Sequence, residues 1–303
     1  MDQLRITATA HGLNYLPEYH AKSTGQFAQL GLDVTAVARD PWTGVLDDLA
    51  SGAADVALGG LWGPAMYAGR ARNLVVVGQL NGRFPMAVVT REAVTGFEWT
   101  WMRRKTVLVP GAGGLAPYTF TEGLMKEAGV DPAESRFIRD LSTAMLAELF
   151  ETGLGDAIVV DLLTATELHL RGAGSVACRL ADAGGPMPNS VYYVRRDRLA
   201  ELGDRLVRML VGVRTSMAEL TSGQADTSSL VTKEFPAASP AALTKATAEL
   251  SGSGTWCGIR IEPRACERWV AILTDAGLVN RDVPYAELVD VTAINQAEKT
   301  AEE

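Results

Sequence analysis

Cysteine is scarce in this chain, and its scarcity excludes a good deal. Three cysteines in 303 residues, Cys178, Cys257 and Cys266, are too few for a disulfide framework. Cys257 and Cys266 could pair in an oxidising compartment, but isolated free thiols are the plainer reading. Histidine is as rare, with three, and no Cys/His spacing resembles a zinc site. Positive charge is short too: 28 Lys and Arg against 36 Asp and Glu leave a net charge of −8. A nucleic-acid partner requires clustered cations to neutralise phosphate, so that class is set aside. The local basic runs Arg103–Lys105 and Arg195–Arg198 read as solvated surface.

No apolar run approaches the ~20 residues that a membrane-spanning helix needs. No secretory leader opens the chain, because Met1-Asp2-Gln3 runs straight into a strand pattern, Leu4–Thr9. As written, this places the protein in the cytoplasm, or in the periplasm or on the cell surface if a leader was removed. No Ser-His-Asp order, paired carboxylate set or metal cluster stands out, and no cofactor or metal is expected. What is present is globular: 47% hydrophobic and 21% charged residues, enough chain for two modest domains.

The most informative stretch is Thr106–Leu124. Val107–Val109 read as a buried strand, and Ala116–Ala128 show helical spacing ended by Gly129. Between them lies the turn Pro110–Leu115, whose Gly111, Gly113 and Gly114 let backbone N–H groups approach a ligand. The plain alternative is a tight turn with nothing bound. Gly111-x-Gly113-x-x-Ala116, with Asp140 after the next strand, also matches a relaxed dinucleotide fingerprint. A complete α/β unit already precedes this stretch, Pro117 falls in the first helical turn, and too few βα units follow. The P-loop pattern is absent.

Ten apolar runs read as strands: Leu4–Thr9, Leu32–Ala38, Asp55–Leu58, Leu74–Leu80, Met86–Thr90, Val107–Val109, Arg136–Arg139, Ala157–Val160, Val176–Leu180 and Ser190–Val194. Helical stretches separate most of them, the first ending near Gly31, which predicts mostly parallel α/β sheets. From Arg198 onward the chain reads as helical, with breaks near Gly223, Pro236, Gly252–Gly254 and Pro284, and a frayed tail after Asn295. An internal echo links Leu46–Leu58 with Leu146–Val159: a helix ends at Gly52 or Gly153, and Asp55 or Asp156 leads into a strand. This predicts two similar lobes, residues 1–88 plus 192–303 and residues 89–191. Their crossovers fall near 84–91 and 187–195, with a ligand cleft between the lobes.

The expected cleft loops follow strand ends or crossovers. From them come His11, Asn14, Tyr15, Trp42, Gly60, Trp62, Arg83, Gly111, Gly113, Gly114, Leu115, Asp161 and Asn189 as candidate ligand-binding residues. Trp42 and Trp62 can stack on a flat ligand or simply pack. His11 is the one candidate acid/base, though a lone His after a strand is commonly a structural hydrogen-bonded residue. His20 and His169 read as structural and surface residues. Asp161 can bind a hydroxyl or amino group or cap the next helix. Arg83 can pair with a carboxylate or sulfonate, or sit exposed. Phe84 and Met86 read as hinge core.

Pro17–Val34, with Pro17, Ala21, Gly25, Phe27, Gly31-Leu32 and Val34 in register, resembles the opening of a known family. It is the sulfonate-binding and thiamine-pyrimidine (NMT1/THI5-like, SsuA-type) family of type II periplasmic-binding-protein fold. Gly52–Gly60 and Gly153–Val160 fit the same pattern, and the resemblance covers about residues 4–220. It implies two lobes with two hinge strands, a helical C-terminal segment and a small molecule clamped between the lobes. Most members are solute receptors for ABC importers, so the implied partners are a small-molecule ligand and an importer permease. The leading expectation is capture of a small aromatic or heteroaromatic organic anion by a monomer or weak dimer. The alternative is a cytoplasmic enzyme on the same fold, resembling thiamine-pyrimidine synthases or a desulfinase. The synthases' Cys-rich motif is missing, their Asn-His pair appears as Asn14-Tyr15, and Gly12 stands at the desulfinase nucleophile position.

Overall fold

Apolar and β-branched runs between glycine turns set the strands. The computed structural model describes residues 1–70, 72–111 and 114–300, and each of the ten runs is a strand in it. The first lobe begins with β1 (Asp2–Ala8), α1 (Leu16–Ser23), α2 (Gln26–Gln29), β2 (Leu32–Ala38), α3 (Gly44–Ser51), β3 (Val56–Gly60), α4 (Trp62–Tyr67) and β4 (Leu74–Asn81). The single helix expected up to Gly31 is two, because Gly25 takes a left-handed φ of 76° and breaks it. The second lobe holds β5 (Met86–Thr90), β6 (Thr106–Val109), α5 (Ala116–Glu127), β7 (Arg136–Arg139), α6 (Thr143–Glu151), β8 (Ala157–Asp161), α7 (Leu162–Leu170), β9 (Ser175–Arg179) and α8 (Leu180–Gly184). The chain returns as β10 (Ser190–Arg195) and continues through α9 (Leu199–Thr221), α10 (Ser228–Glu234), α11 (Pro240–Gly252), α12 (Pro263–Asp275), α13 (Tyr285–Leu288) and α14 (Thr292–Lys299). The tail expected to fray after Asn295 stays helical to Lys299, because Ala297 is fully buried.

The strands form two separate five-stranded sheets, ordered β2-β1-β3-β10-β4 and β7-β6-β8-β5-β9. The two orders are the same topology. In each, parallel strands fill one side, and a strand that arrives from the other lobe runs antiparallel beside the third. The chain therefore crosses between sheets after Asn81 and again between Arg179 and Ser190. The sequence echo has a physical cause. Asp55 Oδ2 accepts the backbone N–H of Arg5 in β1 at 3.0 Å, and Asp156 Oδ2 accepts that of Thr106 in β6 at 2.8 Å. Each carboxylate ties the turn before the third strand to the central parallel strand, at the middle of β1 and at the start of β6.

Between the lobes, Phe84 stacks on Phe120 with ring centroids 4.6 Å apart, and Trp269 meets Phe120 edge-on. The C-terminal segment, assigned from sequence to the first lobe, packs on both. α9 lies on α1, and α14 lies on α9 and β4. α11 instead lies on α7 of the second lobe, where Arg179 pairs with Glu249 and Glu167 accepts the Ser239 N–H at 2.7 Å. α12 touches both α4 and α5. Amphipathic spacing identifies the buried face of such a helix but not its partner. Among the described residues, no helix is long and apolar enough to cross a membrane.

Candidate functional site

A cavity of 470 Å³ lies where the two sheets present their strand ends to each other. From the first lobe come Ala10–Asn14, the loop that follows β1. From the second come Met86 at the start of β5, Pro110 after β6, Asp161 at the end of β8, and the first turns of three helices. Those turns contribute Pro117 of α5, Thr143 and Ala144 of α6, and Leu163 and Thr164 of α7. Phe235, just past α10, closes one side. Neither lysine nor arginine lines the cavity among the described residues.

The floor is a polar clasp. Asn81 is fully buried at the end of β4; its side-chain oxygen accepts from Asn14 Nδ2 at 2.8 Å, and its Nδ2 donates to the Asn14 carbonyl at 2.9 Å. Trp256 Nε1 donates to the same carbonyl at 3.0 Å. The loop is thus fixed before any ligand arrives, which keeps the ordering cost of binding low.

The rim is an aromatic stack. His11 packs against both Tyr19 and Phe235, with centroids at 5.0 and 4.9 Å, and those two rings lie 6.4 Å from each other. Tyr19 Oη is 3.1 Å from His11 Nδ1, and the Glu234 carbonyl is 3.2 Å from Nε2. A phenol donating to Nδ1 and an Nε2–H donating to the carbonyl satisfy both ring nitrogens in one neutral tautomer. Burial holds the Tyr19 phenol above its ordinary pKa, so it stays a donor. His11 is thus held in place at the rim by contacts on both ring nitrogens, with the Glu234 carboxylate 3.7 Å from Nε2. One residue behind Tyr19, Glu18 is buried and accepts from Tyr192 Oη at 2.9 Å.

Three helices aim their N-termini at the cavity, and two are already capped. Ser142 Oγ accepts the Met145 N–H of α6. Asp161 accepts both the N–H (2.9 Å) and the hydroxyl (2.7 Å) of Thr164 in α7, which is the capping alternative weighed above. Leu115, which precedes α5, supplies no side-chain cap. Among the described residues, the positive end of that helix is therefore the one without a side-chain cap.

Of the candidates, His11, Asn14 and Asp161 line the cavity. Tyr15 is buried in the first-lobe core. Gly111 donates to the Leu141 carbonyl, and a Cβ on it would lie 2.9 Å from Asp140 Cα. Asp140 thus abuts the turn itself, at a left-handed φ of 73°. Gly114 and Leu115 lead into α5, whereas Gly113 lies outside the described residues. Gly60, Trp62 and Trp42 form a separate cluster, in which the two indoles pack edge-to-face at 4.7 Å. Arg83 and Asn189 sit at the crossovers; Arg83 donates to the Ala181 carbonyl at 3.0 Å, and Asn189 Nδ2 donates to Ser190 Oγ. Phe84 is hinge core as expected, but Met86 lines the cavity. Sequence reasoning missed Phe235, and no local signal marks it.

A model of the family described as NMT1/THI5 like matches residues 13–228, more than two thirds of the sequence. The chain belongs to this family. A Bacillus subtilis (strain 168) protein named "Putative binding protein YtlA" is 23% identical over 300 residues, spanning 96% of this chain and 88% of that one. The periplasmic aliphatic sulphonate binding protein SsuA from Escherichia coli has the same fold, with a TM-score of 0.76 and 15% identity over 95% of this chain and 97% of that chain. The desulfurization enzyme DSZB shares it too, at a TM-score of 0.65 and 14% identity over 99% of this chain and 100% of that chain. The fold is thus the two-lobe periplasmic-binding-protein architecture that the NMT1/THI5-like resemblance implied. His11 and Phe235 both fall outside the matched 13–228 segment.

Proposed function

We propose that this chain reversibly binds a small organic molecule between its lobes, as the solute-binding component of an ABC-type importer. The lobes that close on it carry one five-stranded sheet each and are joined between Asn81 and Met86 and between Arg179 and Ser190, close to the crossovers expected near 84–91 and 187–195. The observation that carries this reading is the 470 Å³ cavity, lined from both lobes and floored by a preformed polar clasp. Its walls divide the ligand. Leu13, Met86, Leu163 and Phe235 offer apolar and aromatic surface to a flat ring. The positive end of α5, to which no side-chain cap is seen among the described residues, favours an anionic group, while Asp161 repels one from α7. A carboxylate or sulfonate on an aromatic or heteroaromatic ring fits both. Capture requires only contact and closure, and His11 already has partners on both ring nitrogens. That favours binding over the enzyme alternative. The permease partner, and a location outside the cytoplasmic membrane, follow from this role.

The test is a thermal-shift screen of aromatic carboxylates and sulfonates beside their neutral amides. Acids should raise the melting temperature and amides should not. Equal shifts from both sets would remove the anion subsite, and turnover of a bound compound would replace capture with catalysis. In the same screen Phe235→Ala should weaken the best acid about tenfold, the scale of one lost aromatic contact. Leu170→Ala, at an exposed position that lines no cavity wall, should leave affinity unchanged.

A further inference from the structure

We infer that Trp62 is the stop that sets the resting angle between the two lobes, a positioning residue with no contact to the ligand. The inference rests on the two-lobe closure proposed above. Trp62 opens α4, directly after the strand that pairs with β10 at the crossover. Gly60 pairs with Ser190 there, and the Leu61 N–H reaches the Asn189 carbonyl. The indole is only 5% exposed and does not line the cavity. It is clasped between one glycine from each lobe. A Cβ on Gly60 would stand 2.1 Å from Trp62 Nε1, and a Cβ on Gly114 would stand 2.7 Å from Trp62 Cζ2. Real Cβ contacts are not that short, so both glycines are slots shaped to the ring. Trp42 backs the indole edge-on from the outside. Gly114 holds a φ of 122°, which fixes the turn into α5 in a geometry that side chains avoid.

A rigid ring wedged close to a pivot controls the far mouth of a cleft, because a small displacement at the pivot is multiplied along the lobe. A methyl group added at Gly114 meets the ring and has to push the second lobe away. Trp62 thereby links the turn before α5 to the closure angle, and it explains an aromatic residue in a glycine-rich loop without assigning it to the ligand.

The experiment is a double-mutant cycle on the full chain, read by small-angle X-ray scattering with no ligand added. Gly114→Ala should raise the radius of gyration, and in the Trp62→Ala background the same substitution should raise it no further. Equal increases in both backgrounds would assign the effect to backbone strain at Gly114 and overturn the inference. So would an unchanged radius in a folded Gly114→Ala protein, as judged by circular dichroism. If Gly114→Ala does not fold, Trp62→Phe reads the same contact from the other side. It withdraws the ring edge from Gly114 and should shift the radius, with no shift counting against the stop. Acrylamide quenching, compared between wild type and Trp62→Phe, should show Trp62 shielded in the wild type. Scattering needs no solute, so this result stands or falls separately from the ligand screen.

Discussion

Replacing Glu18 by glutamine should stabilise the protein at pH 8 by about 3 kcal/mol and leave it unchanged near pH 4. Glu18 is 3% exposed, and burial raises its carboxyl pKa from 4.5 to about 7. The Tyr192 hydroxyl and the charge of Lys22 offset only part of that cost. The phenols of Tyr15, Tyr19 and Tyr192 around it are themselves raised by burial and carry no charge to balance it. For a raised acid, the folded state binds the proton more tightly than the unfolded one. The resulting stability is complete below the unfolded value, and it is lost as pH climbs from 4.5 to about 7. A tenfold difference in proton affinity between the two states corresponds to ~1.4 kcal/mol. Glutamine keeps an oxygen for Tyr192 to donate to and removes the ionisation. Urea midpoints across the pH range read the difference, and parallel curves for the two proteins would show that Glu18 does not titrate in the fold.

Asn81→Leu should cost about 3 kcal/mol, the scale of two buried hydrogen bonds lost with one donor stranded. Leucine keeps the branching at Cγ but not the chemistry. Asn14 Nδ2 loses its acceptor, and the Asn14 carbonyl keeps only Trp256. The loop that floors the cavity loosens with it, so the Tyr15 amide, bonded to the Gly12 carbonyl, should exchange with solvent faster. Asn189→Ala is the control, since among the described residues that side chain bonds its neighbour Ser190 alone. Equal midpoints for Asn81→Leu and wild type would show that the clasp contributes nothing.

Strand positions were legible because each strand carries its own signal: Leu74–Val77 is a continuous apolar run rich in β-branched residues, and β4 proves buried at every position. The repeated glycine and aspartate before β3 and β8 were legible for the same reason, since one bond geometry demands one local pattern. The cavity was legible only where it is made of loops that follow strand ends, as at His11, Asn14 and Asp161. Phe235 arrives from 224 positions past His11, through a helix whose spacing names a buried face but no neighbour. Trp42, Trp62 and Arg83 lie outside the cavity lining, as the packing alternative allowed, because aromatic rings and guanidinium groups in loops serve packing as readily as ligands. Here an indole answers each indole, and the Ala181 carbonyl answers Arg83.

The place of β10 also bears on the order in which the chain folds as it is made. All five strands of the second sheet come from Met86 to Arg179 without interruption, so that lobe has its full set of strands while the C-terminal third is still being synthesised. The first sheet has no such independence. β3 and β4 are separated by β10, and until Ser190–Arg195 emerges each presents a bare edge with no partner. The earliest residues of the protein thus wait for some of its later ones. A chain ending near Gly185 would hold all five strands of the second sheet beside a first sheet in which β3 and β4 keep open edges, the form of the unfinished chain most prone to aggregation.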